Sequence, residues 1–293
     1  MTTNLAGVYI TGLFGTNGRL AQTQSELLAS QMNDYIFWSV HVNADASLHY
    51  NDVPLASGGT LDPTTGAGIG GIISAARKAG LAQNVWFSIG AGGVSDFQNI
   101  QAILAAGGAL EDELYANLKA LMDLGATGFD LDYEEDLSDP VSLISQFTVG
   151  LNQRLGAKLT YCPYYGTTMW IDCLTANMTA LGSQPVVGFN LQCYSGGGGN
   201  DPRTWVSAIT AAGASTGVSD AVSFVRPGMA VAGSPSSPAL TPAQMTAQLN
   251  SWGSPGGWIW NSANVLNSQP GTGDSIADYA SALLAAVSVA EKA

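Results

Sequence analysis

Short apolar runs rich in Val, Ile, Phe, Tyr and Trp recur along the chain, separated by segments of helical length. Runs of this kind bounded by turn residues predict buried strands, and apolar positions three and four apart predict helices. Eight strands are expected, at Leu5–Gly12, Tyr35–Val42, Val85–Gly90, Thr127–Glu134, Lys158–Tyr164, Val186–Tyr194, Arg226–Gly233 and Gly257–Val265. Helices are expected at Gln24–Asn33, Gly70–Ala79, Asp96–Gly125 (interrupted at Gly107-Gly108), Pro140–Leu155, Met169–Leu181, Pro202–Ala212, Pro242–Trp252 and Ile276–Glu291. Asp139-Pro140, Asp201-Pro202 and Thr241-Pro242 each set a capping oxygen ahead of a proline, which favours the first helical position.

Strict alternation of strand and helix implies a parallel sheet, because parallel neighbours need a crossover connection. Eight such units over 293 residues fit an α/β fold of the closed (β/α)₈ TIM-barrel type, read as a single domain spanning 1–293. A doubly wound open sheet is the rival. Its phosphate loop is missing, since Gly12 to Gly18 leads into Arg19-Leu20-Ala21 without a dinucleotide fingerprint or a Lys-Ser/Thr ending. The longest loop is expected from Asn43 to about Gly66, on the rim that carries chemistry in such barrels.

Composition narrows the function. Hydrophobic residues make up 46% and charged residues only 11%, with a net charge of −13. No basic run exists to neutralise phosphates, so nucleic acid is not an expected partner. The apolar stretches end well short of the ~20 residues that span a bilayer, so no membrane association is expected. The opening MTTNLAGVYITG has no basic stretch and reads as a strand rather than a secretion signal. Cys162, Cys173 and Cys193 fit no zinc spacing; they read as small buried apolar residues, a Cys162–Cys173 or Cys162–Cys193 bridge being the alternative. The single sequon, Asn177-Met178-Thr179, matters only in a eukaryotic secretory pathway.

Ten of the 22 acidic residues fall between Glu111 and Asp139. The informative part is Gly128-Phe129-Asp130-Leu131-Asp132-Tyr133-Glu134. Successive strand side chains face opposite ways, so Phe129, Leu131 and Tyr133 share the helix-facing side while Asp130, Asp132 and Glu134 share the other. In a barrel that other side is the lumen, normally filled with branched hydrophobics. Three carboxyls there lose hydration and repel one another, which raises the affinity of at least one for a proton. Folding gains nothing from this. Chemistry is the better explanation, with Glu134 at the mouth. A solvated strand end and an Asp-x-Asp metal site are the competing readings, and no neighbouring His or phosphate loop supports a metal.

The run Thr127 to Glu134 resembles the strand-four signature DGxDxDxE of glycoside hydrolase family 18, matching at Gly128, Asp130, Asp132 and Glu134, with Thr127 in place of the first Asp. Ser88-Ile89-Gly90-Ala91-Gly92-Gly93 is similar to the family's SxGG segment, and Gln192-Cys193-Tyr194 to the QxY of compact endochitinases. Leu159 to Pro163 sits where members carry a strand-five run ending near a proline, and Gly256 to Trp260 resembles the closing strand that supplies a tryptophan to the sugar-binding floor. The family is one in which the substrate's own acetamido group replaces a carboxylate nucleophile. The resemblance implies that Glu134 is the acid and base. Asp132 would orient the acetamido group and stabilise the oxazolinium, Asp130 would support Asp132, and Tyr194 would donate to the acetamido oxygen. No cofactor or metal is implied.

Aromatics near the expected strand ends offer flat apolar faces to a sugar ring. Trp260, Tyr164 and Trp258 are the candidates for stacking, with Asn190 and Gln192 for hydroxyl contacts. The leading expectation is therefore an endo-acting, monomeric chitinase acting on chitin or an N-acetylglucosamine-containing oligosaccharide. Export from the cell is implied by the resemblance alone. The short Ser234–Pro255 segment leaves no room for the α+β lobe of longer members. Two alternatives stay open: an endo-β-N-acetylglucosaminidase acting on N-glycan cores, and a lectin or inhibitor without catalysis. The latter class usually loses the terminal Glu or its Asp partner, and both are present here.

Overall fold

The computed structural model describes residues 4–286. Eight parallel strands form the frame: β1 (Leu5–Ile10), β2 (Asp34–Val42), β3 (Asn84–Ile89), β4 (Gly128–Leu131), β5 (Lys158–Tyr161), β6 (Val186–Gln192), β7 (Val225–Val231) and β8 (Gly256–Trp260). Each pairs with its neighbours in chain order, and β1 pairs with both β2 (Gly7 opposite Asp34) and β8 (Leu5 opposite Gly256). The ring is closed, with helices outside it, as the strand–helix alternation predicts.

The alternation of faces works as read. Phe129, Leu131 and Tyr133 join the large core between sheet and helices. A second, smaller cluster fills the lumen with Tyr9, Ile36, Trp86, Cys162, Tyr194, Ala230 and Trp258. Space for it is made at Gly228, where a Cβ would lie 2.0 Å from the Trp258 ring. Below this layer Asp34, buried, accepts the Trp86 indole N–H at 2.5 Å and faces the half-buried Arg226 Nη1 at 3.4 Å.

Four expectations need correction. The Asn43–Gly66 loop holds three short antiparallel strands, Leu48–Tyr50, Val53–Ser57 and Thr60–Leu61, added to the end of β2. The following helix starts at Pro63 rather than Gly70, capped by Asp62, whose carboxylate accepts the Thr64 and Thr65 N–H groups. Gly66 and Gly68 hide this start in the sequence; they are small because Leu61 and Phe14 press against them. The last strand ends at Trp260, and Asn261 caps a helix over Ser262–Thr272 that the apolar rhythm did not announce. Finally, regular pairing in β4 stops at Leu131, although the Asp132 N–H still bonds the Ile89 carbonyl at 2.9 Å. The remaining helices agree to within a few residues, and the final one is described over Ile276–Leu284, the expected portion past residue 286 lying outside the described residues.

Between β7 and β8 the chain carries only a two-residue strand, Ala239–Leu240, and the helix Pro242–Trp252. No α+β lobe stands over the barrel mouth there. All three cysteines are free and buried. Among the described residues no helix is long and apolar enough to cross a membrane.

Candidate active site

Asp130 lies at the bottom of the acidic file, fully buried, and every acceptor position it offers is used. Tyr9 Oη and Ser88 Oγ donate to one oxygen at 2.8 and 2.7 Å; Thr160 Oγ1 and Asn190 Nδ2 donate to the other at 2.7 and 2.9 Å. These donors project inward from β1, β3, β5 and β6, so the barrel itself assembles them. Burial pushes the Asp130 carboxyl above its ordinary range, and the four donors pull it back. The four partners therefore offset only part of the effect of burial.

Asp132, two residues nearer the mouth, accepts the Trp38 indole N–H at 2.9 Å and Gln192 Nε2 at 3.1 Å. Burial, then the neighbouring Glu134 and Asp130 charges, push its carboxyl well above the usual carboxylate range. Asp132 therefore keeps a proton more readily than an ordinary aspartate. Glu134 reaches the opening, where Gln192 Nε2 also donates to its Oε1 at 2.8 Å. One amide thus bridges the two carboxyls, which make no direct hydrogen bond among the described residues.

Above these groups is a cavity of about 240 Å³ lined by Asp132, Glu134, Gln192, Tyr194, Trp38 and Trp260, with Ala91, Gly92, Ser195 and Ser236. Trp260 packs at 18° to the Tyr194 ring with centroids 5.8 Å apart, and edge-on to Trp38 at 4.8 Å. The Tyr194 hydroxyl has no hydrogen-bond partner among the described residues, and burial holds it protonated far past neutral pH. It stands ready as a donor toward the cavity.

Glu134, Asp132, Tyr194, Gln192 and Trp260 are thus gathered around one opening. Asn190 sits below it, its Nδ2 spent on Asp130 and on Thr160 Oγ1 at 3.2 Å, and Trp258 is sealed in the lumen with its indole N–H on the Arg226 carbonyl. Neither lines the cavity. Tyr164 stands to one side, its ring 4.4 Å from that of exposed Tyr165, and burial raises its hydroxyl pKa to about 12. In the sequence Trp38 stands only as one of several aromatics near strand ends, and nothing there singles out Tyr9 or Thr160. The signal was present: polar or indole groups at inward positions of strands otherwise lined with aliphatics. Among the described residues no cluster of side chains is arranged to hold a metal ion.

Neither the protein-family models nor the curated proteins yield a match to this chain. Solved structures do. A fungal endo-β-N-acetylglucosaminidase of glycosyl hydrolase family 18 matches over 96% of both chains, with a TM-score of 0.65 and 19% identity. A chitinase from Aspergillus fumigatus matches over 88% of this chain and 91% of its own, at 0.61 and 18%. The class V chitinase from Nicotiana tobaccum matches over 98% of this chain and 100% of its own, at 0.61 and 11%. At such identities the likeness is one of fold: the chain shares its barrel with chitinases and endo-β-N-acetylglucosaminidases of glycoside hydrolase family 18.

Proposed function

We propose that the protein is an endo-acting glycoside hydrolase that cleaves β-1,4 linkages between N-acetylglucosamine units with retention, by substrate-assisted catalysis. One observation carries this reading. Of the ten residues lining the cavity, only Asp132 and Glu134 bear carboxyls, and they sit two residues apart at the end of one strand. A retaining enzyme of the two-carboxylate kind places its nucleophile across the sugar from its acid, about 5–5.5 Å away. Nothing acidic stands opposite Glu134 in the cavity lining, which supports an attacking oxygen carried by the substrate itself.

In this reading Glu134 gives its proton to the glycosidic oxygen while the acetamido oxygen attacks the anomeric carbon. The carbon–oxygen bond to the leaving sugar breaks, and the positive charge of the oxazolinium ring develops beside Asp132. Gln192 and Trp38 hold Asp132 in place for that moment. Tyr194 donates to the acetamido oxygen. Glu134, now a carboxylate, takes a proton from water as that water attacks the anomeric carbon; the bond from that carbon to the acetamido oxygen breaks, the oxazolinium ring opens back to the acetamido group, and the original configuration is restored. Trp260 supplies the apolar face beneath the sugar.

Hydrolysis of fluorogenic chitobioside and chitotrioside by the wild type and by Glu134→Gln tests the reading. Loss of general-acid catalysis should lower turnover by about 10²–10⁴-fold. A wild type inactive on these substrates and on a high-mannose glycoprotein sinks the enzyme reading. Activity on the glycoprotein alone selects the endo-β-N-acetylglucosaminidase alternative, the activity of one of the proteins whose barrel this chain resembles.

A further inference from the structure

Glu135 follows Glu134 directly, yet its side chain turns away from the cavity and is 6% exposed. Both of its oxygens are spent on one helix end. Oε1 accepts the Phe97 N–H at 2.7 Å and Oε2 the Gln98 N–H at 3.0 Å, in the first turn of the helix Asp96–Ala106. That helix has no side-chain cap of its own, since Ser95 makes no capping bond. Helix N-termini leave such N–H groups unpaired and carry partial positive charge, so a buried carboxylate suits them.

The same helix end is held from the other side. Asp96 Oδ1 accepts the Val42 N–H at 2.8 Å, and Oδ2 lies 2.9 Å from His41 Nδ1, whose Nε2 is 3.1 Å from Ser39 Oγ. The start of the helix is thereby tied to the ends of both β2 and β4. The segment entering it is the one that touches the acid. A Cβ on Gly92 would lie 2.9 Å from Glu134 Oε2, and a Cβ on Gly90 would lie 2.3 Å from the Asp132 carbonyl oxygen. Where the helix starts therefore sets how close Gly92 comes to the Glu134 carboxyl.

We propose that Glu135 is a positioning residue for the reaction: by clamping the Phe97 and Gln98 amides to the end of β4, it fixes the direction in which Glu134 presents its proton. This rests on Glu134 being the acid. A Gln in this place offers one acceptor and one N–H₂, and the N–H₂ would meet a backbone donor. The clamp would be half broken with the side-chain volume kept.

Glu135→Gln should keep the circular dichroism of the wild type while its kcat on the chitobioside falls about 10- to 100-fold, the cost of a small misplacement of a reacting group. KM should stay within about twofold. The Phe97 and Gln98 amides should exchange with deuterium faster than in the wild type. A cap that served stability alone would lower the melting temperature and leave kcat untouched, and that result overturns the proposal, as does unchanged amide exchange. If Glu135→Gln does not fold, Glu135→Asp, which keeps the charge and shortens the reach, is measured in the same three ways against the same criteria. An inactive wild type removes the functional reading and the positioning role with it. An active wild type with an unaffected variant removes the positioning role alone.

Discussion

Asp132 is gripped by two donors while facing two other carboxyls, a position that favours its neutral form. Its folded pKa lies above the unfolded one, so the folded state binds the proton more tightly. Stability then falls as pH rises from the ordinary carboxylate range through the raised value. Asp132→Asn removes that loss, because an amide has no proton to release over this range. The variant should gain melting temperature over the wild type between pH 4 and pH 8, by a few degrees at the upper end, while losing activity. A gap that does not widen with pH would count against the assigned burden. On the proposed reaction, Tyr194→Phe should lower kcat about tenfold or more with little change in KM, the removal of an interaction made as the acetamido group attacks. Initial rates across substrate concentrations decide it. The acidic file was legible because a period of two put three carboxyls on one face, and apolar partners marked the other. Depth was not legible. Asn190 and Gln192 share a face two residues apart, yet one serves Asp130 and the other bridges the two upper carboxyls.

At the scale of elements, the connection from β3 into the helix Asp96–Ala106 carries more of the site than its composition suggests. Gly92 needs no unusual backbone angle; its smallness leaves room for the Glu134 carboxyl. Gly92→Ala should therefore fold with an unchanged melting temperature but lower kcat, because the flexible carboxyl gives way before the backbone does. A loss of about tenfold is expected for such a displacement, read from kcat beside a thermal melt. Sequence located all eight strands because each is a buried apolar run. It missed the helix starts at Pro63 and Ser262, where glycines in one case and polar residues in the other break the rhythm. Asp62-Pro63 is the same capping pair that marked three other helices, so that signal was available and outweighed by the glycines that follow it.

Across the whole barrel the two ends do different work. The mouth holds the acids, and the opposite end holds Asp34, Trp86 and Arg226 in a closed polar knot. Burial pushes Asp34 up and Arg226 down, and each is the other's main relief. Asp34→Ala leaves the largely covered Arg226 guanidinium without its ion partner and should cost about 1–3 kcal/mol of stability. Turnover per folded molecule should stay unchanged, as judged by urea unfolding beside active-site titration. If the substrate is the neutral sugar polymer proposed above, the net charge of −13 gives no pull toward it, and only the placement of a few acids matters. The helix Thr167–Leu181 adds a consequence for making the protein. Asn177 of the sequon is fully buried, and its Nδ2, the atom a glycan would occupy, donates to Tyr161 Oη at 2.9 Å. An oligosaccharide transferred co-translationally to that nitrogen would hold the helix off the barrel wall. A glycosylating host should therefore yield two populations, a folded one bare at Asn177 and a modified one retained as misfolded chain.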